Sequence, residues 1–307
     1  GAVLLKNEDN LLPVPESDMV LIGFMAANLR YQGSGSSHIN PTKLINIADA
    51  MPNVPCCACG DHQGNVTEQD LRDAVEAAKK QKIAVVVVGL PDSYESEAFD
   101  RDHMRLPEGH NKLVEAEAKA NPNTVVVLLG GSAMELPWAD NVKAILYMGL
   151  PGQAGGEAAA NLLTGKANPC GKLTETWPLF YEDVISKDTF GKKNTEYREG
   201  IYVGYRYYET RYEDVMLGNE KAENFKYDEQ VQFPFGYGLS YTSYAYDKAE
   251  ADKKQKAEEE EKKRITAEKN RKKLQKHWEK KCAMEREKRI QEMAEAIIRA
   301  KEMEKNV

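Results

Sequence analysis

Four carboxylates, Asp92, Glu95, Glu97 and Asp100, fall within nine positions just after the apolar run Val85-Val86-Val87-Val88-Gly89. Crowding of this kind raises the pKa of at least one member unless a cation offsets it. A carboxyl group that stays protonated near neutral pH is what general acid catalysis requires. The run itself reads as a buried parallel strand, and open α/β sheets place their chemistry just beyond the carboxyl ends of such strands.

Continuous apolar runs recur at residues 19–23, 54–57, 83–89, 124–129 and 142–148, the pattern of strands covered on both faces. Helical periodicity fills several gaps between them. Residues 67–80 open on Thr67 and Asp70, a capping pair; residues 108–120 follow Pro107; a third helix is expected over 156–163. Strand and helix alternating at this cadence predict an α/β fold with a doubly wound, mostly parallel sheet, an α/β/α sandwich. Beyond Trp177-Pro178 the periodicity fades into a Tyr- and Gly-rich stretch that reads as a long excursion packed over the sheet.

From Asp247 onward there is no Gly or Pro, and twenty Lys and Arg stand against fifteen Asp and Glu. That tail carries +5 while residues 1–246 carry −12. Its composition predicts a long charged helix, about 90 Å if unbroken. Leu274, Trp278, Ile290, Met293 and Ile297 form a short seam that allows weak self-association, although no heptad persists for three repeats. Two segments are therefore expected, a sandwich domain over 1–246 and a helical tail over 247–307.

An acidic body is a poor match for nucleic acid, and the basic residues of the tail are too interspersed with Glu to form a polyanion site. No run approaches the ~20 apolar residues of a membrane span, and no basic-then-apolar leader is visible, so the chain reads as soluble and cytoplasmic. Gly33-Ser34-Gly35-Ser36-Ser37 could cradle a phosphate after the first strand, but its spacing fits neither common nucleotide-binding fingerprint. Cys56, Cys57 and Cys59 with His62 match no common zinc spacing, and Cys56 and Cys57 read as small buried hydrophobes pointing to opposite faces of a short strand.

Taken in order, several segments closely resemble the C-terminal α/β sandwich domain of the family-3 glycoside hydrolases, the β-glucosidase group. They include Val3-Leu4-Leu5-Lys6-Asn7-Glu8, Arg30-Tyr31-Gln32-Gly33-Ser34-Gly35-Ser36-Ser37, Glu95-Ser96-Glu97-Ala98-Phe99-Asp100-Arg101 and Glu135-Leu136-Pro137-Trp138. Further on come Pro151-Gly152-Gln153, Tyr197-Arg198-Glu199-Gly200-Ile201-Tyr202-Val203-Gly204-Tyr205-Arg206-Tyr207 and Phe233-Pro234-Phe235-Gly236-Tyr237-Gly238-Leu239-Ser240-Tyr241. The resemblance covers residues 1 to about 243.

It implies retaining hydrolysis of a β-glucoside or oligosaccharide by two carboxyl groups, with no cofactor and no metal. Glu97 is the best match to the acid/base position, with Glu95 the alternative; a solvated Glu97 paired to Arg101 is the inert reading. By the same resemblance Arg30, Tyr31, Gln32 and Gly33 approach the leaving-group sugar, and Asp100 and Arg101 hold the loop. Ala98 stands where family members commonly have Gly, a change expected to stiffen the loop. The family's nucleophile is an Asp of a separate (β/α)₈ barrel, and nothing here has the length or repetition of one. A barrel in cis or in trans is therefore the expected partner. A non-catalytic carbohydrate-binding or interaction protein on the same fold is the alternative.

Overall fold

The computed structural model describes residues 1–36, 38–218 and 225–243, and Gly1–Ser243 form one compact unit. The expected charged helix over 247–307, with its seam, lies outside the described residues.

The described chain begins with β1 (Val3–Asn7), β2 (Met19–Ile22), α1 (Phe24–Ala27), α2 (Ile47–Ala50), β3 (Cys56–Cys57), α3 (Glu68–Ala78) and β4 (Ile83–Gly89). It continues with α4 (Glu108–Ala120), β5 (Thr124–Leu129), β6 (Ala144–Gly149) and α5 (Gly155–Leu163). Last come β7 (Trp177–Pro178), α6 (Tyr205–Met216), α7 (Tyr227–Gln230) and β8 (Val231–Phe233). No helix among the described residues is long and apolar enough to cross a membrane.

Six strands form one sheet in the order β1-β6-β5-β4-β2-β3, parallel throughout except for β1, which runs antiparallel to β6. Every residue of β4 and β5 is buried, as their unbroken β-branched runs require of strands covered on both faces. Ala74, Ala78, Leu113 and Val114 of α3 and α4 pack on one face against Val86, Val88 and Val126. Met25, Ile47, Ala159 and Leu163 of α1, α2 and α5 cover the other face against Val85, Val87, Val125 and Val127. Each such large side chain contributes about 1.5–3 kcal/mol by leaving water.

The helix starts follow local chemistry. At α3 the Thr67 hydroxyl accepts the Asp70 amide at 3.1 Å while the Asp70 carboxylate accepts the Thr67 amide at 2.9 Å, the reciprocal pair seen in the sequence.

Some expectations change. The strand at 54–57 shrinks to Cys56–Cys57, and with Cys56 exposed and Cys57 half-buried neither is the buried small hydrophobe expected, whereas Cys59 beyond the strand is buried. The Gly33–Ser37 segment does not follow the first strand: β1 precedes β2, and α1 intervenes before the loop. The stretch after Trp177 contains α6, whose single buried residue is Tyr208, which leaves too little apolar periodicity to announce a helix.

The strand order positions the site. From β2 the chain moves outward to β3 by way of α1 and α2 on one face. It returns through α3 on the opposite face to add β4, β5 and β6 on the other side of β2. The winding thus reverses between β2 and β4, and the loops leaving their carboxyl ends flank a crevice.

Candidate functional site

The loop after β4 turns at once, the Tyr94 and Glu95 amides donating to the Pro91 carbonyl at 2.9 and 3.3 Å. Glu95 then points inward. Its carboxylate accepts the Gly131 amide at 2.8 Å and the Ser132 hydroxyl at 2.5 Å, beyond the end of β5, and pairs with Arg30 at 3.1 Å. Arg30, 8% exposed, donates to the Leu90 carbonyl and, at 2.8 Å, to the Glu95 carbonyl, and pairs with Asp92 at 3.4 Å. Arg101 donates to the Ser132 hydroxyl at 2.7 Å and the Ala133 carbonyl at 3.1 Å. Arg30, Glu95, Ser132 and Arg101 thus lace together the ends of β2, β4 and β5.

Glu97 behaves differently. It is exposed, its amide donates to the Ser34 carbonyl at 3.2 Å, and its carboxylate accepts the Ser36 amide at 2.5 Å. No ion pair joins it to Arg101 among the described residues.

Crowding does not raise the Glu97 pKa. Hydrogen bonds from the Ser36 hydroxyl and amide hold its carboxyl below the usual range, because donors stabilise the charged form. Arg30 supplies the cation that offsets Asp92 and Glu95. The expected elevation is therefore absent from the position that the resemblance favours.

Gly35 sits at φ +103°, where a Cβ would run into the Glu97 Cβ and come to 2.6 Å from Oε2. Gly35→Ala should expel the Glu97 carboxylate from Ser36, and NMR titration should show its pKa rising toward the ordinary value. An unchanged titration would show that Ser36 is not what lowers it. Ala98 lies at φ +74°, left-handed backbone that glycine adopts more easily. Ala98→Gly should raise stability by up to about 1 kcal/mol in urea denaturation.

Arg30, Tyr31, Gln32 and Gly33 line a single cavity of about 340 Å³, with His62 and Asp92 among its other walls. Gln32 braces the loop through its side-chain amide, which donates to the Ile39 carbonyl at 2.9 Å and accepts the Ile39 amide at 3.0 Å. Its Nε2 also donates to the Tyr31 hydroxyl at 2.9 Å. Glu97 is not part of that cavity wall but joins the same loop through Ser34 and Ser36. The sequence reading missed the Gly131-Ser132 anchor, although a Gly-Gly-Ser turn beyond a parallel strand was a visible signal. It also missed the hold of Ser36 on Glu97, which separate positions 61 residues apart contribute.

Comparison with known proteins finds the profile described as Glycosyl hydrolase family 3 C-terminal domain over residues 2–205. The chain is 44% identical over 267 residues to thermostable beta-glucosidase B of Acetivibrio thermocellus, covering 82% of this chain and 33% of that protein. It is 38% identical to an exo-alpha-(1->6)-L-arabinopyranosidase of Bifidobacterium longum, covering 79% of this chain and 32% of that protein. Among solved structures, the GH3 beta-glucosidase of Bifidobacterium adolescentis superposes with a TM-score of 0.71 at 38% identity, over 80% of this chain and 35% of that one. The chain therefore spans about a third of the length of these two curated relatives.

Proposed function

The chain belongs to glycosyl hydrolase family 3, through that family's C-terminal domain, and on that premise we propose that Glu97 is the acid/base of a β-glucosidase-type retaining site completed by a barrel. The barrel carries the attacking carboxylate, which retaining chemistry places about 5–5.5 Å from the acid/base. Glu97 protonates the departing oxygen and then deprotonates the incoming water.

The observation that carries this reading is the division of labour within the loop. Asp92 and Glu95 are tied to Arg30, whereas Glu97 is exposed and, among the described residues, is held through Ser34 and Ser36. In this reading Arg30 positions the loop through its bonds to the Leu90 and Glu95 carbonyls, and Tyr31, Gln32 and Gly33 shape the wall toward the leaving-group sugar. Docking of the barrel must also remove or outweigh the Ser36 hydrogen bonds, since the acid step needs a protonated carboxyl.

A second reading, a carbohydrate-binding domain without catalysis, draws on the lowered pKa of Glu97, which suits a permanent carboxylate. One experiment separates the two. The chain is assayed on an aryl β-glucoside alone and after mixing with the barrel portion of a family-3 relative. The expected result is negligible turnover alone and recovered turnover that Glu97→Gln removes. Robust turnover by the chain alone, or recovered turnover indifferent to Glu97→Gln, would sink the proposal. Continued silence with measurable sugar binding would favour the second reading.

A further inference from the structure

A second cavity of about 430 Å³ opens beyond the end of β5, with Arg101, Ser132 and Ala133 on its wall. Arg101 uses one guanidinium nitrogen, Nη1, for Ser132 and Ala133. Its Nε and Nη2 are buried and have no hydrogen-bond partner. No carboxylate lies within 4 Å of Arg101 among the described residues; the acidic groups acting on it, Glu95, Glu175 and Glu135, act from farther away. Two more residues of the same wall carry buried polar atoms without a partner, His103 through its Nδ1 and Thr176, only 7% exposed, through its hydroxyl. The remaining wall is largely apolar and aromatic, with Val184, Phe190 and Tyr208 among its residues.

Buried donors left unpaired carry an uncompensated desolvation cost, larger where the donor is charged. Nε and Nη2 form one edge of a planar fork whose parallel N–H groups match the two oxygens of a carboxylate. Lys187 and Arg101 stand against Glu175 and Glu199 on the wall, so net charge does not select the ligand; the paired donors do. The volume and the mixture of apolar wall with a few convergent polar groups are those of a small-molecule site.

We propose that this cavity binds a small carboxylic acid with an apolar body. Its carboxylate lies across the Nε and Nη2 edge of Arg101, with Thr176 and His103 beside it and the body against Phe190 and Val184. Arg101 also holds Ser132, which holds Glu95, so such a ligand is linked to Glu95 through Arg101 and Ser132.

The test is calorimetric titration of the full chain with sodium benzoate, with benzamide and methyl β-glucoside as the neutral comparisons. Benzoate should bind saturably at one site, and benzamide at least roughly tenfold more weakly, since it cannot accept the charged fork. Arg101→Lys keeps the charge but loses the fork and should weaken benzoate roughly tenfold. Should that variant fail to fold, Phe190→Ala and Thr176→Val leave the bonds of Arg101 to Ser132 and Ala133 in place and should each weaken binding severalfold. Glu97→Gln should leave benzoate affinity unchanged, which separates this site from the catalytic proposal. The inference is overturned by absence of saturation at tens of millimolar benzoate, or by benzamide or the glucoside binding as well as benzoate. Affinity unchanged in the folded variants of Arg101, Phe190 and Thr176 overturns it equally.

Discussion

In the chain complemented by a barrel, Glu97→Gln is expected to slow turnover by roughly 100- to 10,000-fold, the range of a positioned general acid/base, while leaving the urea midpoint unchanged. Arg30→Met should do the reverse in the isolated chain, lowering stability by roughly 3 kcal/mol or more. The asymmetry follows from burial and from partners. Glu97 is exposed and gives up hydrogen bonds that water can replace. Arg30 is 8% exposed, and its loss would leave Glu95 without its ion pair and the Leu90 carbonyl without a donor. Urea denaturation of the two variants measures the stability half. For the catalytic half, the loss on Glu97→Gln should be larger for an alkyl glucoside than for a nitrophenyl glucoside, whose leaving group needs little protonation. Equal losses on the two substrates would assign Glu97 a positioning role, and a stable Arg30→Met would show that the loop does not depend on the ion pairs.

Much of this arrangement was legible because it is local. The runs at 83–89 and 124–129 are unbroken and rich in Val, and they became β4 and β5 with those bounds. Thr67 and Asp70 lie three apart and cap α3 as their spacing required. What the sequence hid was contact at a distance. The crowding of Asp92, Glu95, Glu97 and Asp100 suggested an elevated carboxyl pKa, but the compensating cation is Arg30, whose contact with Glu95 spans 65 positions. No pattern within the loop could reveal that Arg30 turns inward.

The preference for Glu97 over Glu95 rests on the resemblance and on the crowding of carboxylates, and spacing by itself leaves both open. The structure adds a physical difference between them, one carboxylate anchored at Gly131 and Ser132 and the other exposed. Ala98 shows the converse case, in which a departure from the family's usual Gly coincides with a left-handed backbone. The helix α6 escaped for a third reason, since a helix with one buried residue writes almost no hydrophobic period.

Two buried titratable groups on α4 should give the fold opposing pH dependences that conceal each other. Glu117 is fully buried with neither carboxylate oxygen hydrogen-bonded, and burial pushes its pKa from the usual 4.5 to about 7. Seven positions earlier, His110 is 3% exposed with Nδ1 2.9 Å from the Gly89 carbonyl, and burial lowers its pKa from 6.5 to about 4. Between pH 4.5 and 7 the folded chain keeps the Glu117 proton and the unfolded chain does not, so this group's contribution falls as pH rises. Between pH 4 and 6.5 the unfolded chain binds a proton at His110 that the folded chain refuses, so this contribution grows as pH rises. Over the shared interval the two slopes have opposite signs and similar size, about 1.4 kcal/mol per pH unit each. Glu117→Gln should therefore gain stability relative to wild type as pH rises from 4.5 to 7, by up to about 3 kcal/mol, and His110→Gln should lose a comparable amount from pH 4 to 6.5. Urea denaturation of both variants and the wild type across this range reads the two differences directly. A Glu117→Gln difference that stays constant with pH would mean that the carboxyl is ionised in the folded chain and reaches water or a partner.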